Sequence, residues 1–306
     1  MQMLGGTRIF IVVGIALALC SGEALAKKKT FWAKARQPSD APANSIGEYT
    51  AGCVEGALAL PLNGPGYQVM RPSRKRFFGH PVLVAYIKDF AKRVKAKKIG
   101  PILVGDLAQP KGGPSPKGHA SHQSGLDVDV WFYHPRAAER RKLRKHERET
   151  LVAHRVVDPK KHRITKYWSE EVVKLLRLAA DDKRVARVLI NPFIKKRMCD
   201  SGKESTETLR KLRPWYGHAD HMHVRLHCPK RNKHCEDQEA LPAGDGCEDL
   251  DWWLDRKAQR ARRKGQKAYQ KTVGATPELP EKCDEMAVKD RSERRSQRRK
   301  RRRRGR

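Results

Sequence analysis

No two cysteines in this chain stand in a Cys-x-x-Cys relation. That excludes the common cysteine-rich zinc knuckles. No Ser-x-x-Lys occurs either, so one acylating-serine motif is missing. Acidic residues are scarce, 34 Asp and Glu against 67 Lys and Arg, a formal net charge of +33. Such an excess says nothing of fold. It predicts attraction to polyanions: nucleic acid, anionic lipid or an acidic wall polymer. Apolar residues make up 38%, a lean share that still supports a core in a chain of 306 residues. No internal repeat is visible. The apolar run Ile9–Leu19 is too short to span a hydrocarbon layer of about 30 Å. Arg8 precedes it, and Ala24-Leu25-Ala26 follows with the small residues a signal peptidase reads. Residues 1–26 are therefore expected to be a secretory signal peptide, with the mature chain starting at Lys27. Leu19 argues against a lipid anchor on Cys20. An exported chain does not meet a genome, so no nucleic-acid partner is expected.

Removing Cys20 leaves Cys53, Cys199, Cys228, Cys235, Cys247 and Cys283. An even number in an exported chain favours disulfides, with fifteen pairings open from the sequence. Residues 27–45 are basic and then rich in Pro, Ala and Ser, the composition of a solvated linker. Residues 46–286 carry the folded domain. Residues 287–306 form an arginine-rich tail of the kind that is usually disordered and suits attachment to an anionic wall or lipid.

Within the domain, apolar residues at 83, 84, 87, 90, 91 and 94 predict a helix opened by Pro81. Ile102-Leu103-Val104 predicts a short buried strand. A loop from Asp106 to Gly125, dense in Gly, Pro and Ser, precedes an alternating strand over 126–132. Arg136–Glu149 predicts a solvated helix. Ser169 is placed to cap a helix with an apolar side at Val172, Val173, Leu175, Leu176 and Leu178. Val185–Ile190 reads as a strand broken by Asn191-Pro192, and 206–212 as a short helix. Trp252 to Tyr269 reads as helical and basic. The mixture lacks regular β-α-β alternation. The expectation is an α+β domain: a small antiparallel sheet core carrying the functional site, flanked by helices and disulfide-stapled loops.

Two stretches concentrate chemistry. One reads GHASHQSGLDVDVW, with His119, His122, Asp127 and Asp129. The other reads GHADHMHVRL, with His218, His221 and His223. On a strand alternate side chains share a face, so Asp127 and Asp129 point one way and Val128 and Val130 the other. His221 and His223 likewise oppose Met222 and Val224. Two strands with polar fronts and apolar backs suit a site on the wall of a core, with His122 delivered by the preceding loop. Two His and one Asp, with room for water, is the donor set of a catalytic zinc rather than a closed structural one. A further His beside such a metal can move protons.

His-x6-Asp followed by a later His-x-His resembles the zinc peptidases grouped with lysostaphin, the D-Ala-D-Ala metallopeptidases and the hedgehog fold. The strings GDLAQPKGGPSPKGHASHQSGLDVDVW and WYGHADHMHVRLHCP are similar to those of the penicillin-insensitive murein endopeptidases. The resemblance covers roughly residues 46–283. It implies that His122, Asp129 and His223 bind Zn2+. It implies that His221 carries the proton or steadies the transition state, and that His218 lines the site and assists. Asp127 receives no assured role. The position of His119 is implied to bind a second, non-catalytic metal at a subunit contact, which would go with a homodimer. His154, Asp158 and His162 are candidate partners there; the alternative for His119 is a supporting hydrogen bond. The implied disulfides are Cys53–Cys283, Cys199–Cys247 and Cys228–Cys235. The implied activity is a periplasmic, β-lactam-insensitive endopeptidase acting on peptidoglycan cross-links between D-Ala and meso-diaminopimelate. The rival readings are a D,D-carboxypeptidase or dipeptidase on the same fold, and a basic polyanion-binding exported protein.

Overall fold

A computed structural model describes residues 31–115, 119–158, 161–255 and 278–289, with 257, 260, 261 and 264 between the last two segments. The expected signal peptide and most of the arginine-rich tail lie outside the described residues. Among the described residues no helix is long and apolar enough to cross a membrane.

Thirteen strands form in chain order among the described residues: β1 Asn44–Gly47, β2 Gly52–Glu55, β3 Leu58–Ala59, β4 Asn63–Gly64, β5 Tyr67–Val69, β6 Phe78–Gly79, β7 Ile102–Val104, β8 Asp127–Trp131, β9 Val157–Asp158, β10 Arg163–Ile164, β11 Val185–Ile190, β12 Leu212–Pro214 and β13 His221–Leu226. Seven of them make one sheet in the order β12-β11-β13-β8-β7-β5-β4. The α+β class is as expected, but the sheet is larger and mixed. Its centre, β11-β13-β8-β7, is antiparallel, while β11 with β12 and β5 with β7 run parallel. The outermost strands β12, β5 and β4 were not anticipated; they are two or three residues long, too short for alternation to show.

The core explains why these segments take these forms. The helix Pro81–Ala96 buries Leu83, Val84, Ile87, Phe90, Ala91 and Val94, the stripe the 3.6-residue spacing predicts, and adds Tyr86. Pro81 occupies the first turn, and the His80 ring accepts from the Val82 N–H at 3.2 Å. The helix Glu170–Ala180 buries Val172, Leu175, Leu176, Ala179 and Ala180. Ser169 stands at its N-cap without a side-chain hydrogen bond to the backbone there. Both helices share one apolar cluster with Val128, Val130, Met222, Val224 and Leu226 of the central strands. Asn191-Pro192 ends β11 as expected. It also starts an unanticipated helix, Pro192–Asp200, in which the Asn191 side chain accepts from the Phe193 N–H.

Two expectations are corrected. The Arg136–Glu149 stretch is not one solvated helix. It forms two short ones, Arg136–Arg140 and Lys145–Thr150, and Arg148 is buried between them and the sheet edge. Its guanidinium donates to the carbonyls of Leu143, Leu62 and Val69 and to the side chains of Asn63 and Gln68. A run of charges hid a cation fixed by backbone oxygens. The segment expected to be a solvated linker is also packed at Phe31, Trp32 and Ala35. Phe31 and Trp32 are buried with Ile46, Cys53, Leu279, Cys283, Met286 and Ala287. Trp32 lies against Gly113, where any Cβ would meet the indole at 2.1 Å and where φ is +73°. Only glycine satisfies both demands. The Cys53–Cys283 disulfide sits in that cluster, and Cys199–Cys247 and Cys228–Cys235 close the other two bridges.

Trp32→Ala should lower stability by about 3–5 kcal/mol, read as a shift of the urea midpoint with unchanged slope. A solvated linker would leave the midpoint where it is.

Candidate metal centre

The pairing of β8 with β13 builds the site. Asp127 lies opposite Arg225, Asp129 opposite His223, and Trp131 opposite His221. Directly opposed residues project to one face of an antiparallel pair. Six polar or aromatic side chains therefore share the front of the sheet, while Val128, Val130, Met222 and Val224 fill the core behind it.

Asp127 is fully buried and hydrogen-bonded on both carboxylate oxygens. Its carboxylate accepts from Arg225 Nε at 2.8 Å and Nη2 at 3.1 Å, and from the His122 backbone N–H at 2.9 Å. His223 Nε2 approaches it at 3.2 Å, off the hydrogen-bond direction. Burial opposes the charge on Asp127. Arg225 and His223 outweigh it and hold the carboxyl well below its ordinary range. The Arg225 guanidinium in turn lies 4.1 Å over the Tyr49 ring and donates to Gln238. The role left open for Asp127 is thus structural: it fixes the His122 loop to the strand bearing His223.

Most of the described residues in the loop before β8 are buried. The Gln109 side-chain amide bridges the carbonyls of Gly112, Gly113 and Pro114, and that of Gln123 reaches Thr50 and Ala120. His122 emerges from it with φ of +68°, an uncommon conformation for a residue with a Cβ, held by its N–H bond to Asp127. His218 is also left-handed, at φ +48°. Its turn is held by Asn191, which donates from its backbone to the His218 carbonyl and from its side chain to Gly217.

Three imidazoles converge on one oxygen. Asp129 Oδ1 lies 3.2 Å from His223 Nδ1, 3.4 Å from His122 Nε2 and 3.8 Å from His221 Nε2. Asp129 Oδ1 and His122 Nε2 are both buried without a hydrogen-bond partner. Buried polar atoms are rarely left so, and two facing each other are what a cation between them would satisfy. On the other side of the carboxylate, His119 Nε2 is 3.6 Å from Asp129 Oδ2. His119, His122 and Asp129 offer ligand atoms that all lie within 4.8 Å of one another. His119 therefore stands at the edge of this cluster. It also hydrogen-bonds Asp106 at 3.0 Å, the supporting contact weighed above. The residues considered as its partners have other surroundings. His154 lies between the Tyr133 and Tyr167 rings, and His162 packs on Phe193.

The remaining histidines differ in kind. His221 Nδ1 is 2.6 Å from Asp220 Oδ1. Burial lowers its pKa, but Asp129 and Asp220 outweigh burial and raise it. His218 stacks beside it, ring centroids 5.0 Å apart, and is pushed down to about 3 by burial and then by the charges of His221 and His223. Two cavities flank the Asp220-His221 step. One of about 170 Å³ is walled by Arg71, Arg74, Asp106, His119, Asp129 and Trp131. The other, of about 330 Å³, lies on the side of His218, Tyr216, Asn191 and Arg155. Sequence reasoning missed Asp220, Arg225 and Asp106. The first two were findable, as the neighbour of His221 and the next front-facing position after His223. Asp106 had no signal.

Asp127→Ala leaves the buried Arg225 charge unpaired and should destabilise the fold by about 3–5 kcal/mol. Asp127→Ala with Arg225→Met should recover part of that loss. A double-mutant cycle in urea that finds the two changes simply additive would contradict the coupling.

The sequence matches the family described as penicillin-insensitive murein endopeptidase over residues 45–288. A protein of that name from Klebsiella pneumoniae subsp. pneumoniae is 43% identical over 246 residues, 80% of this chain and 88% of the relative. One from Haemophilus influenzae is 42% identical over 222 residues, 71% of this chain and 76% of the relative. One from Escherichia coli K12 is 40% identical over 245 residues, 79% and 87% of the two chains. The matched span contains both strands of the site, the loop that carries His122 and all three disulfides, so the chain belongs to the penicillin-insensitive murein endopeptidases, a family of peptidases.

Proposed function

We propose that the protein is an exported, zinc-dependent endopeptidase that hydrolyses the D-Ala to meso-diaminopimelate cross-links of peptidoglycan. The observation that carries this reading is the convergence of imidazole nitrogens on Asp129 Oδ1 at the junction of two open cavities. Donors about 2.0–2.1 Å from a tetrahedral zinc stand about 3.3 Å apart. The 3.4 Å from His122 to Asp129 and the 3.2 Å from His223 to Asp129 fit that spacing. His122, Asp129 and His223 would hold the ion, and His119 stands beside Asp129 as a further donor. When bound, zinc supplies a Lewis acid for a carbonyl and lowers the pKa of a coordinated water to about 7.

The chain's own residues supply the rest. Asp127 faces His223 Nε2, which leaves Nδ1 turned to Asp129. Asp220 engages His221 Nδ1 and turns Nε2 toward Asp129, where a proton can pass to the leaving amine. His218, kept neutral by burial and the neighbouring rings, spends its one N–H on the Tyr216 carbonyl, which leaves Nε2 as an acceptor beside His221. The absence of Ser-x-x-Lys removes the serine that β-lactams would acylate. A cleft with room on both sides of His221 suits a bond inside a cross-link, with a peptide stem on each side. That favours the endopeptidase over a carboxypeptidase. Six paired cysteines and the Ile9–Leu19 run support export to the periplasm.

Purified protein incubated with cross-linked muropeptides should convert dimers to monomers by mass spectrometry. A chelator should stop the conversion and added Zn2+ restore it. Release of terminal D-Ala alone would reject the endopeptidase. His122→Ala, Asp129→Ala and His223→Ala should each lose the bound metal and the activity. His221→Ala should keep its metal and lose about 10²–10⁴-fold in kcat. Full activity in the three ligand variants would end the metal reading.

A further inference from the structure

Most charges around the smaller cavity already have partners. Arg74 and Arg76 each donate to Asp106 at 3.0 Å, and His119 reaches the same oxygen. Asp220 holds His221, and Asp129 is surrounded by histidines. Arg71 is the exception. Its guanidinium walls this cavity, and among the described residues no carboxylate pairs with it. Its Nε is buried with no hydrogen-bond partner.

The arginine is nonetheless held in place. Its guanidinium lies 5.6 Å over the Trp131 ring, which fixes the plane. Its backbone is left-handed, φ 52° and ψ 49°, although Pro72 follows and would favour an extended conformation there. The strain is maintained by bonds on either side: Met70 N–H to the Val104 carbonyl at 2.8 Å and Arg71 N–H to the Arg148 carbonyl at 3.1 Å before it, and Arg74 N–H to the Arg71 carbonyl at 3.0 Å after it. Strain of this sort tends to collect where a side chain must be aimed. The aim here is into the cleft, one front-facing step along β8 beyond Asp129.

That step is about 7 Å, two residues of a strand. In a cross-link the carboxylate on the leaving side is three bonds from the scissile carbonyl carbon. With a hydrogen bond of about 2.8 Å added, that reach is comparable to the step from Asp129 to Trp131, the residue under the Arg71 guanidinium in the same cavity. We propose that Arg71 is a specificity residue which binds the α-carboxylate of the amino acid whose nitrogen leaves. This rests on the endopeptidase reading above. It makes the free carboxylate beside the scissile amide a requirement of the substrate and assigns the smaller cavity to the leaving stem. Asp106 is neutralised by Arg74, Arg76 and His119, so the cavity's acidic residues do not cancel the Arg71 charge.

The test uses two synthetic cross-link peptides in which the D-centre carboxyl of diaminopimelate, next to the scissile amide, is free or amidated. The wild-type protein should prefer the free acid by about 10–100-fold in kcat/KM, the worth of a charge-assisted hydrogen bond. Arg71→Gln should cut that preference to under about 3-fold. Arg71→Lys should keep an intermediate preference, since it retains the charge but not the fork, and serves if Arg71→Gln does not fold. An equal loss on both substrates, or a preference that survives the substitution, overturns the proposal. Titration calorimetry of the same two peptides with zinc-loaded His221→Ala gives a readout independent of turnover. If the wild type cleaves neither peptide, the endopeptidase reading fails. A binding preference lost in His221→Ala with Arg71→Gln would still place the carboxylate at Arg71, and no preference would remove it.

Discussion

The carboxylate of Asp127 is a negative charge with no access to water, and the site is arranged around its compensation. A buried charge without partners would be neutralised or would unfold its surroundings. Here Arg225 meets it with two donors, and the His122 N–H supplies a third. Those contacts connect three parts of the chain: the loop that ends at His122, the strand that follows it, and the strand that arrives about ninety residues later. The compensation of one charge therefore sets the position of His122 relative to His223. It also keeps His122 in a left-handed conformation that its own backbone preferences oppose.

The sheet keeps that arrangement rigid. Valines 128, 130 and 224 with Met222 are sealed against two helices, and a one-residue slip of register would turn them to the cleft and the histidines into the core. The register is thus fixed by apolar burial on one face while its product is used on the other. Beside the sheet, the Asp106 group settles its own charges among Arg74, Arg76 and His119. This leaves the convergence on Asp129 and the guanidinium of Arg71 with capacity for a ligand in the smaller cavity.

Much of this was legible in the residues. The apolar stripe of 81–96 follows from its spacing, and the two-faced strands follow from alternation. His122, Asp129, His221 and His223 stand out because so many ligand types rarely meet in so few positions. What failed to show was of two sorts. Arg148 and Trp32 sit in stretches whose composition suggests solvent, yet each is buried by a contact distant in sequence, with the carbonyls of Leu62 and Val69 in one case and Gly113 in the other. The contacts of His119 with Asp106 and Asp129 are of the other sort, because a loop rich in glycine and proline gives no indication of where its side chains return.

Local periodicity and residue chemistry were enough to determine the class of the fold, the strands of the site and the kinds of atoms a metal would meet. These depend on neighbours within a few positions. Which nitrogen faces which oxygen, the hub at Asp127 and the guanidinium of Arg71, which among the described residues meets no carboxylate, were decided only by tertiary structure. They arise where segments far apart in the chain meet, and a buried charge takes its partner from whatever folding places beside it.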